Sequence, residues 1–73
     1  MNITINYGMS NSLTRDFPEG TTVGKVVKDP SIMAALGHGS NVVSKIDGVT
    51  VDDSRRLVDG DEIDLEVRAN SKA

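Results

Sequence analysis

Apolar and polar residues alternate through the first eight positions, MNITINYG, which places Ile3 and Ile5 on one face. This period of two predicts a strand with one buried side. After the turn-rich segment GMSNS, LTRDF predicts an antiparallel second strand with Leu13 and Phe17 pointing inward. Arg15 lies between them on the same face. A charged side chain is tolerated there on an edge strand, where it reaches water, so we place this strand at the sheet edge.

The period changes in PEGTTVGKVVKDPSIMAALG, which predicts helical structure. Thr21 or Thr22 can cap a helix that continues to about Lys28. Pro30 would break a helix interior but suits a first helical position, with Asp29 as N-cap. The segment PSIMAAL is therefore a short second helix or a kinked continuation. For the fold as a whole we expect one helix, packed on one face of the sheet.

The C-terminal half predicts three further strands. NVVSKIDGVTVDD indicates a strand, a tight Asp-Gly turn and a short strand. In the loop that follows, Leu57 and Val58 are expected to plug the end of the core. EIDLEVRA is the clearest strand, with Ile63, Leu65 and Val67 predicted inward and charged residues between them outward.

The order strand, strand, helix, strand, short strand, strand predicts an α+β fold. Placing the first and last strands side by side in the centre leaves the second strand at an edge, as its buried-face arginine requires. That is the β-grasp roll, with a mixed sheet of four to five strands. We expect a single domain over residues 1–69 and a flexible polar tail over residues 70–73.

Composition narrows the possible chemistry. The 73 residues contain no Cys and a single His, which excludes disulfides and thiolate metal sites. His38 is flanked by glycines and is predicted to lie on the surface. No basic region followed by an apolar stretch opens the chain, and no apolar run reaches membrane-spanning length. We expect a cytoplasmic monomer without membrane contact, cofactor or bound metal.

The charge is unevenly distributed. The net charge is -3, and carboxylates are concentrated from position 47 onward. They are Asp47, Asp52, Asp53, Asp59, Asp61, Glu62, Asp64 and Glu66. This balance disfavours nucleic acid as a partner, because phosphate binding needs a basic face. It suits a basic protein partner, and equally a solvated surface that keeps the protein soluble.

Several motifs together resemble a known family. The segments MNITINYG, PEGTTVGKVV, NVVSKIDGVTVDD and LVDGDEIDLEV resemble the sulfur-carrier proteins of thiamin and molybdopterin synthesis, ThiS and MoaD, and more broadly ubiquitin-like β-grasp proteins. The matching residues are Ile46, Asp47, Gly48, Leu57, Asp59, Gly60, Asp61, Glu62 and Ile63. The resemblance implies a β-grasp fold and, for a carrier, a Gly-Gly terminus that is adenylated and converted to a thiocarboxylate. Here RANSKA stands in that place.

Two functions follow from these observations. The first is a non-catalytic, unconjugated ubiquitin-like module that binds another protein; the alternative is a divergent sulfur carrier. An RNA-associated module resembling the TGS domain is a third, which the acidic balance disfavours. An enzyme is not expected, because no nucleophile–base pair is evident. Candidate partner-binding residues are the basic side chains Arg15, Lys45, Arg55, Arg56 and Arg68. Arg55 and Arg56 could instead form local salt bridges with Asp52 and Asp53.

Overall fold

The computed structural model describes residues 1–68, which form five strands and two short helices. The strands are β1 (Asn2–Tyr7), β2 (Asn11–Asp16), β3 (Val42–Ile46), β4 (Val49–Val51) and β5 (Glu62–Val67). The helices are α1 (Val23–Val27) and α2 (Pro30–Leu36). Neither of these two helices is long and apolar enough to cross a membrane. The predicted tail at 70–73 and position 69 of the predicted domain lie outside the described residues.

All five strands belong to one mixed sheet in the order β2-β1-β5-β3-β4. The two central strands, β1 and β5, are parallel, and every other neighbouring pair is antiparallel. The α+β class and the central position of the first and last strands are therefore confirmed. Arg15 lies exposed on β2, at the edge, as predicted.

The expectation of one helix is wrong, because two helices cover the sheet. The α1 helix ends at Val27 with Lys28 as its C-cap, and Asp29 adopts an extended conformation. The Asp29 carboxylate accepts a 2.8 Å hydrogen bond from the Ser31 amide, and Pro30 occupies the first helical position. Because proline has no N–H and restricts the residue before it, the chain restarts a helix here and does not extend the first.

The core between helices and sheet is aliphatic. Its buried members are Ile3, Ile5, Val23, Val26, Val27, Ile32, Leu36, Ile46, Leu57, Ile63 and Leu65. Two expected members are missing: Val58 is 61% exposed and Val67 is 60% exposed. Alternation places Val67 on the helix side of β5, but this last residue of the strand is left exposed. Of the two loop residues predicted to close the end of the core, only Leu57 is buried and Val58 is not.

The expected threonine cap of α1 does not form. Thr22 occupies the N-cap position, but its side chain makes no capping hydrogen bond. The Thr21 hydroxyl instead donates to the Pro18 carbonyl at 2.6 Å. The first amides of α1 must therefore find acceptors elsewhere, since a helix leaves its first N–H groups without internal partners.

Those acceptors come from residues 52–57, here called the clip segment. The Val23 amide donates to the Arg55 carbonyl, and the Gly24 amide donates to the Asp53 carbonyl, each at 2.9 Å. The backbones approach so closely that a Cβ on Gly24 would lie 2.7 Å from the Asp53 Cβ. Glycine at position 24 thus permits a backbone contact that ties the loop before β5 to the start of α1.

His38 is buried, which contradicts the prediction of a surface residue. The residue is only 4% exposed, and its ring centroid lies 5.7 Å from that of Tyr7. The Nε2 atom is 2.8 Å from the Val27 carbonyl oxygen. A carbonyl only accepts, so Nε2 carries the hydrogen. In the neutral ring Nδ1 is then an acceptor, and it is buried without a hydrogen-bond partner among residues 1–68.

Candidate functional site

The outer face of the sheet, opposite the helices, is polar across four strands. It carries the side chains that alternate with the core residues of β1 and β5. The members on β1, β5 and β3 are Asn2, Thr4, Asn6, Glu62, Asp64, Glu66, Val43 and Lys45. Val43 is the one apolar side chain among these eight. We call this surface the acidic face, because three carboxylates on β5 oppose the single ammonium group of Lys45.

A side-chain network orders the acidic face. The Asn6 amide nitrogen donates to Glu62 Oε2 at 2.6 Å and to Asp64 Oδ1 at 2.9 Å. Ser12 Oγ on β2 donates to Asn6 Oδ1 at 2.8 Å. Asn6 therefore donates both amide hydrogens to two successive outward acids of β5, and its own side-chain oxygen accepts from Ser12. The carboxylates are held in one orientation before any partner arrives.

The third carboxylate is paired with the lysine of β3. Lys45 Nζ lies 3.2 Å from Glu66 Oε1, although Lys45 sits directly opposite Asp64 in the β3–β5 register. The ion pair is thus diagonal. Three carboxylates and one ammonium leave the face with a net charge of -2 from these residues. A row of fixed acceptors at alternate strand positions attracts a cationic partner surface.

A groove of about 700 Å³, here called the β3 groove, lies beside the short strand β4. It is lined by residues 42–44 of β3, the end of β4, residues 52–54 of the clip segment, and Arg68. The Asp52 carboxylate at its rim accepts hydrogen bonds from the hydroxyl and the amide of Ser54, at 2.7 and 3.1 Å. These bonds favour the charged form and lower the pKa of Asp52 below its ordinary value of 3.8.

A smaller cavity of about 150 Å³ adjoins the β3 groove on the helix side. Both spaces are lined by Val42, Ser44, Asp53 and Arg68, so they are continuous around the edge of β3. Lys28 at the end of α1 also lines the smaller cavity. Its Nζ atom is 2.8 Å from Asp53 Oδ2, an ion pair whose partners are both exposed.

The five predicted basic residues are distributed over different surfaces. Arg15 lies on the helix side of the β2 edge, with Nη1 3.5 Å from Ser31 Oγ. Lys45 belongs to the acidic face, and Arg68 lines the β3 groove. Arg15 and Lys45 are three strands apart in a sheet whose strands lie about 4.8 Å apart. The structure therefore does not gather the five into one cluster.

The sequence leaves open whether Arg55 and Arg56 contact a partner or form local salt bridges with Asp52 and Asp53. In the structure Arg55 pairs with a different acid, and its Nη1 is 3.1 Å from Asp61 Oδ2. Asp61 also accepts from the Val58 amide at 2.9 Å, so this pair braces the turn before β5. Arg56 is exposed and lines a third groove at the opposite end of the clip segment.

Sequence reasoning did not identify Asn6 as the organiser of the acidic face. The signal that could have indicated Asn6 was the predicted neighbouring position of the first and last strands. This arrangement brings the outward residues of β1 beside the outward acids of β5. That register, Asn6 opposite Asp64, became visible only in three dimensions. Within residues 1–68, no group of three or more His, Asp or Glu side chains is placed to hold a metal ion.

No protein-family model matches this chain, and no curated protein matches it.

Proposed function

We propose that the chain is a β-grasp module of the ubiquitin-like type that binds a basic protein surface, without catalysis and without being conjugated. The fold assignment is supported by the strand order β2-β1-β5-β3-β4 with a parallel central pair. It is supported further by two helices inserted between the second and third strands, covering one face of the sheet. The resemblance to ThiS and MoaD in the sequence agrees with this arrangement.

The observation that carries the proposed function is the acidic face. Helices cover one side of the sheet, and the other side presents Glu62, Asp64 and Glu66 in a row along β5. Residues two apart on a strand lie about 7 Å apart, which matches the spacing of alternate side chains on an extended partner. Because Asn6 already holds two of the acids in place, a partner's lysine or arginine meets a preorganised acceptor.

Chemical-shift mapping with a ten-residue peptide of alternating Lys and Thr tests this proposal. The amides of β1 and β5 are expected to shift, and added salt should weaken the binding. The double variant Asp64→Asn/Glu66→Gln should bind the peptide about threefold to tenfold more weakly.

The control is Glu19→Gln/Asp47→Asn, which removes the same two charges from exposed turns outside the face. It should bind nearly as well as the wild type. An equal loss in both double variants would mean that the peptide senses only the overall negative charge, and the proposal would then be wrong.

Mass spectrometry separates this function from the alternative of a sulfur carrier. After incubation with ATP and an activating enzyme of the thiamin or molybdopterin type, we expect no added adenylate and no added sulfur. A mass increase at the terminal carboxylate would assign the chain to the carriers.

A further inference from the structure

The outer edge of β3 is only partly covered by β4. The pairing of these strands ends at Ser44 opposite Val51, although β3 begins two residues earlier, at Val42. Within residues 1–68, Val42 has a strand partner on one side only, Val67 of β5. The β3 groove occupies the place where β4 would have continued, so a short length of strand edge opens into it.

The backbone polar groups of Val42 point into this groove. A two-residue turn joins β3 to β4, so its flanking pair, Ile46 and Val49, is the hydrogen-bonded one. Along β3 the backbone N–H and C=O groups point to the same side at every second residue. Those of Ser44 and Val42 therefore also point to the β4 side. Consistent with this alternation, the carbonyl of Asn41 points to the β5 side, where it accepts a hydrogen bond from the Arg68 amide. No loop backbone within residues 1–68 bonds to Val42 from the groove side.

The adjoining cavity supplies positive charge beside this edge. Lys28 and Arg68 both line it, and Asp53 is the one carboxylate among its lining residues within 1–68, which leaves these three side chains with a net charge of +1. Two hydroxyl-bearing residues, Ser40 and Ser44, line it as well. Arginine and hydroxyl donors are suited to a carboxylate. Asp52 lines the wider groove and is absent from the lining of the smaller cavity.

We propose that the β3 groove binds an extended peptide that carries a carboxylate. The peptide backbone pairs with Val42 as an added strand, and an apolar side chain packs on Val42 and Val51. The carboxylate enters the smaller cavity and bonds to Arg68. This mode of recognition takes affinity from main-chain hydrogen bonds and specificity from the cavity. The groove shares Val43 with the acidic face but none of its carboxylates, so the two proposals depend on different charged residues.

The carboxylate can come from a peptide terminus or from an acidic side chain, and the experiment distinguishes these sources. Four acetylated probes are compared by NMR titration: TVTV with a free terminus, TVTV amide, TVDV amide and TVNV amide. We expect the free-acid or the Asp probe to shift the amides of Val42 and Val43 and to slow hydrogen exchange at Val42. The amidated TVTV and the Asn probe should bind about tenfold more weakly or not at all.

Arg68→Gln should weaken binding of the effective probe by about tenfold or more. Arg56→Gln, which removes the same charge from the exposed third groove, should leave binding unchanged. Far-UV circular dichroism of both variants confirms that each is folded.

Equal binding of acid and amide probes, or equal effects of the two arginine variants, would overturn the proposal. The proposal would also be wrong if neither carboxylate probe shifted the Val42 amide at millimolar concentration. Concentration-dependent shifts of the same amides without peptide would assign the groove to a second copy of the chain, and would overturn it as well.

Discussion

Replacing Gly24 with alanine should destabilise the protein, even though alanine is the better helix former. Gly24 is buried in α1, and its amide donates to the Asp53 carbonyl at 2.9 Å. An added methyl carbon would lie 2.7 Å from Asp53 Cβ and 3.1 Å from both Asp53 Cγ and the Asp53 carbonyl oxygen. Carbon atoms prefer separations of about 3.5–4.0 Å, so the clip segment must move away.

Two opposing effects set the magnitude. Alanine gains about 1 kcal/mol over glycine in a helix interior. Overpacking costs about 1–3 kcal/mol, and the weakened amide hydrogen bond costs about 1 kcal/mol more. Overpacking prevails because the closest contacts include backbone and Cβ atoms, which cannot rotate away. We expect a net loss of about 1–3 kcal/mol in the free energy of unfolding, which lowers Tm by about 5–20 °C in a domain of this size.

Thermal and urea unfolding followed by circular dichroism measure the loss. Gly39→Ala is the matched control, because a Cβ at that position meets nothing within 4 Å. It should stay within about 0.5 kcal/mol of the wild type. Adding Asp53→Gly to Gly24→Ala removes the nearest opposing carbon and should recover part of the loss. A Gly24→Ala protein as stable as the wild type would refute the reasoning.

Three further predictions concern single side chains. Hydrogen bonds from Ser54 hold the pKa of Asp52 below 3.8. The charged carboxylate therefore stabilises the fold above that pH, and this stabilisation is lost as the pH falls. The urea midpoint of the wild type should therefore fall more steeply below about pH 4 than that of Asp52→Asn; parallel curves would contradict this. In long-range ¹H–¹⁵N spectra, Nε2 of His38 should carry the hydrogen that bonds to the Val27 carbonyl, and a neutral ring with its hydrogen on Nδ1 instead would contradict this bond. Asp29→Ala should reduce the free energy of unfolding by about 1 kcal/mol through loss of the α2 cap, whereas Asp29→Asn should change it little.

The topology could be predicted because local patterns constrained one another. Alternation identified the strands, and the charged Arg15 on the buried face of the second strand required an edge position. Pro30 and Asp29 marked the start of α2, but whether they began a new helix or kinked a longer one depends on packing against the sheet. The sequence alone left both forms open, and the structure contains two helices.

Which side of the sheet a side chain lies on could be predicted more easily than whether that side chain is buried. The alternation of β5 assigns Val67 to the helix side, yet nothing in that pattern tells how far the helices extend along the strand. His38 illustrates the opposite case. Glycine neighbours indicate a loop, but this loop folds back so that the imidazole contacts Tyr7 and the Val27 carbonyl. Both outcomes depend on contacts distant in sequence, which periodicity does not report.

The candidate surfaces depend on the same distinction. The acids of β5 were visible in the sequence, but their pairing with Asn6 required the parallel register of β1 and β5. The β3 groove exists because β4 stops at Val51 while β3 extends further. Its lining residues come from three separate parts of the chain, of which only Arg68 had been a candidate.

The acidic row on β5 reduces stability slightly, and that is an argument for its function. Adjacent carboxylates about 7 Å apart repel by about 0.6 kcal/mol in water, before screening by salt. Asn6 and Lys45 offset part of this repulsion, yet neutral residues on the same face would avoid it altogether. Because Ile63 and Leu65 alternate with these acids, the core does not need the charges. A local conflict that the fold does not require is expected where a surface serves binding.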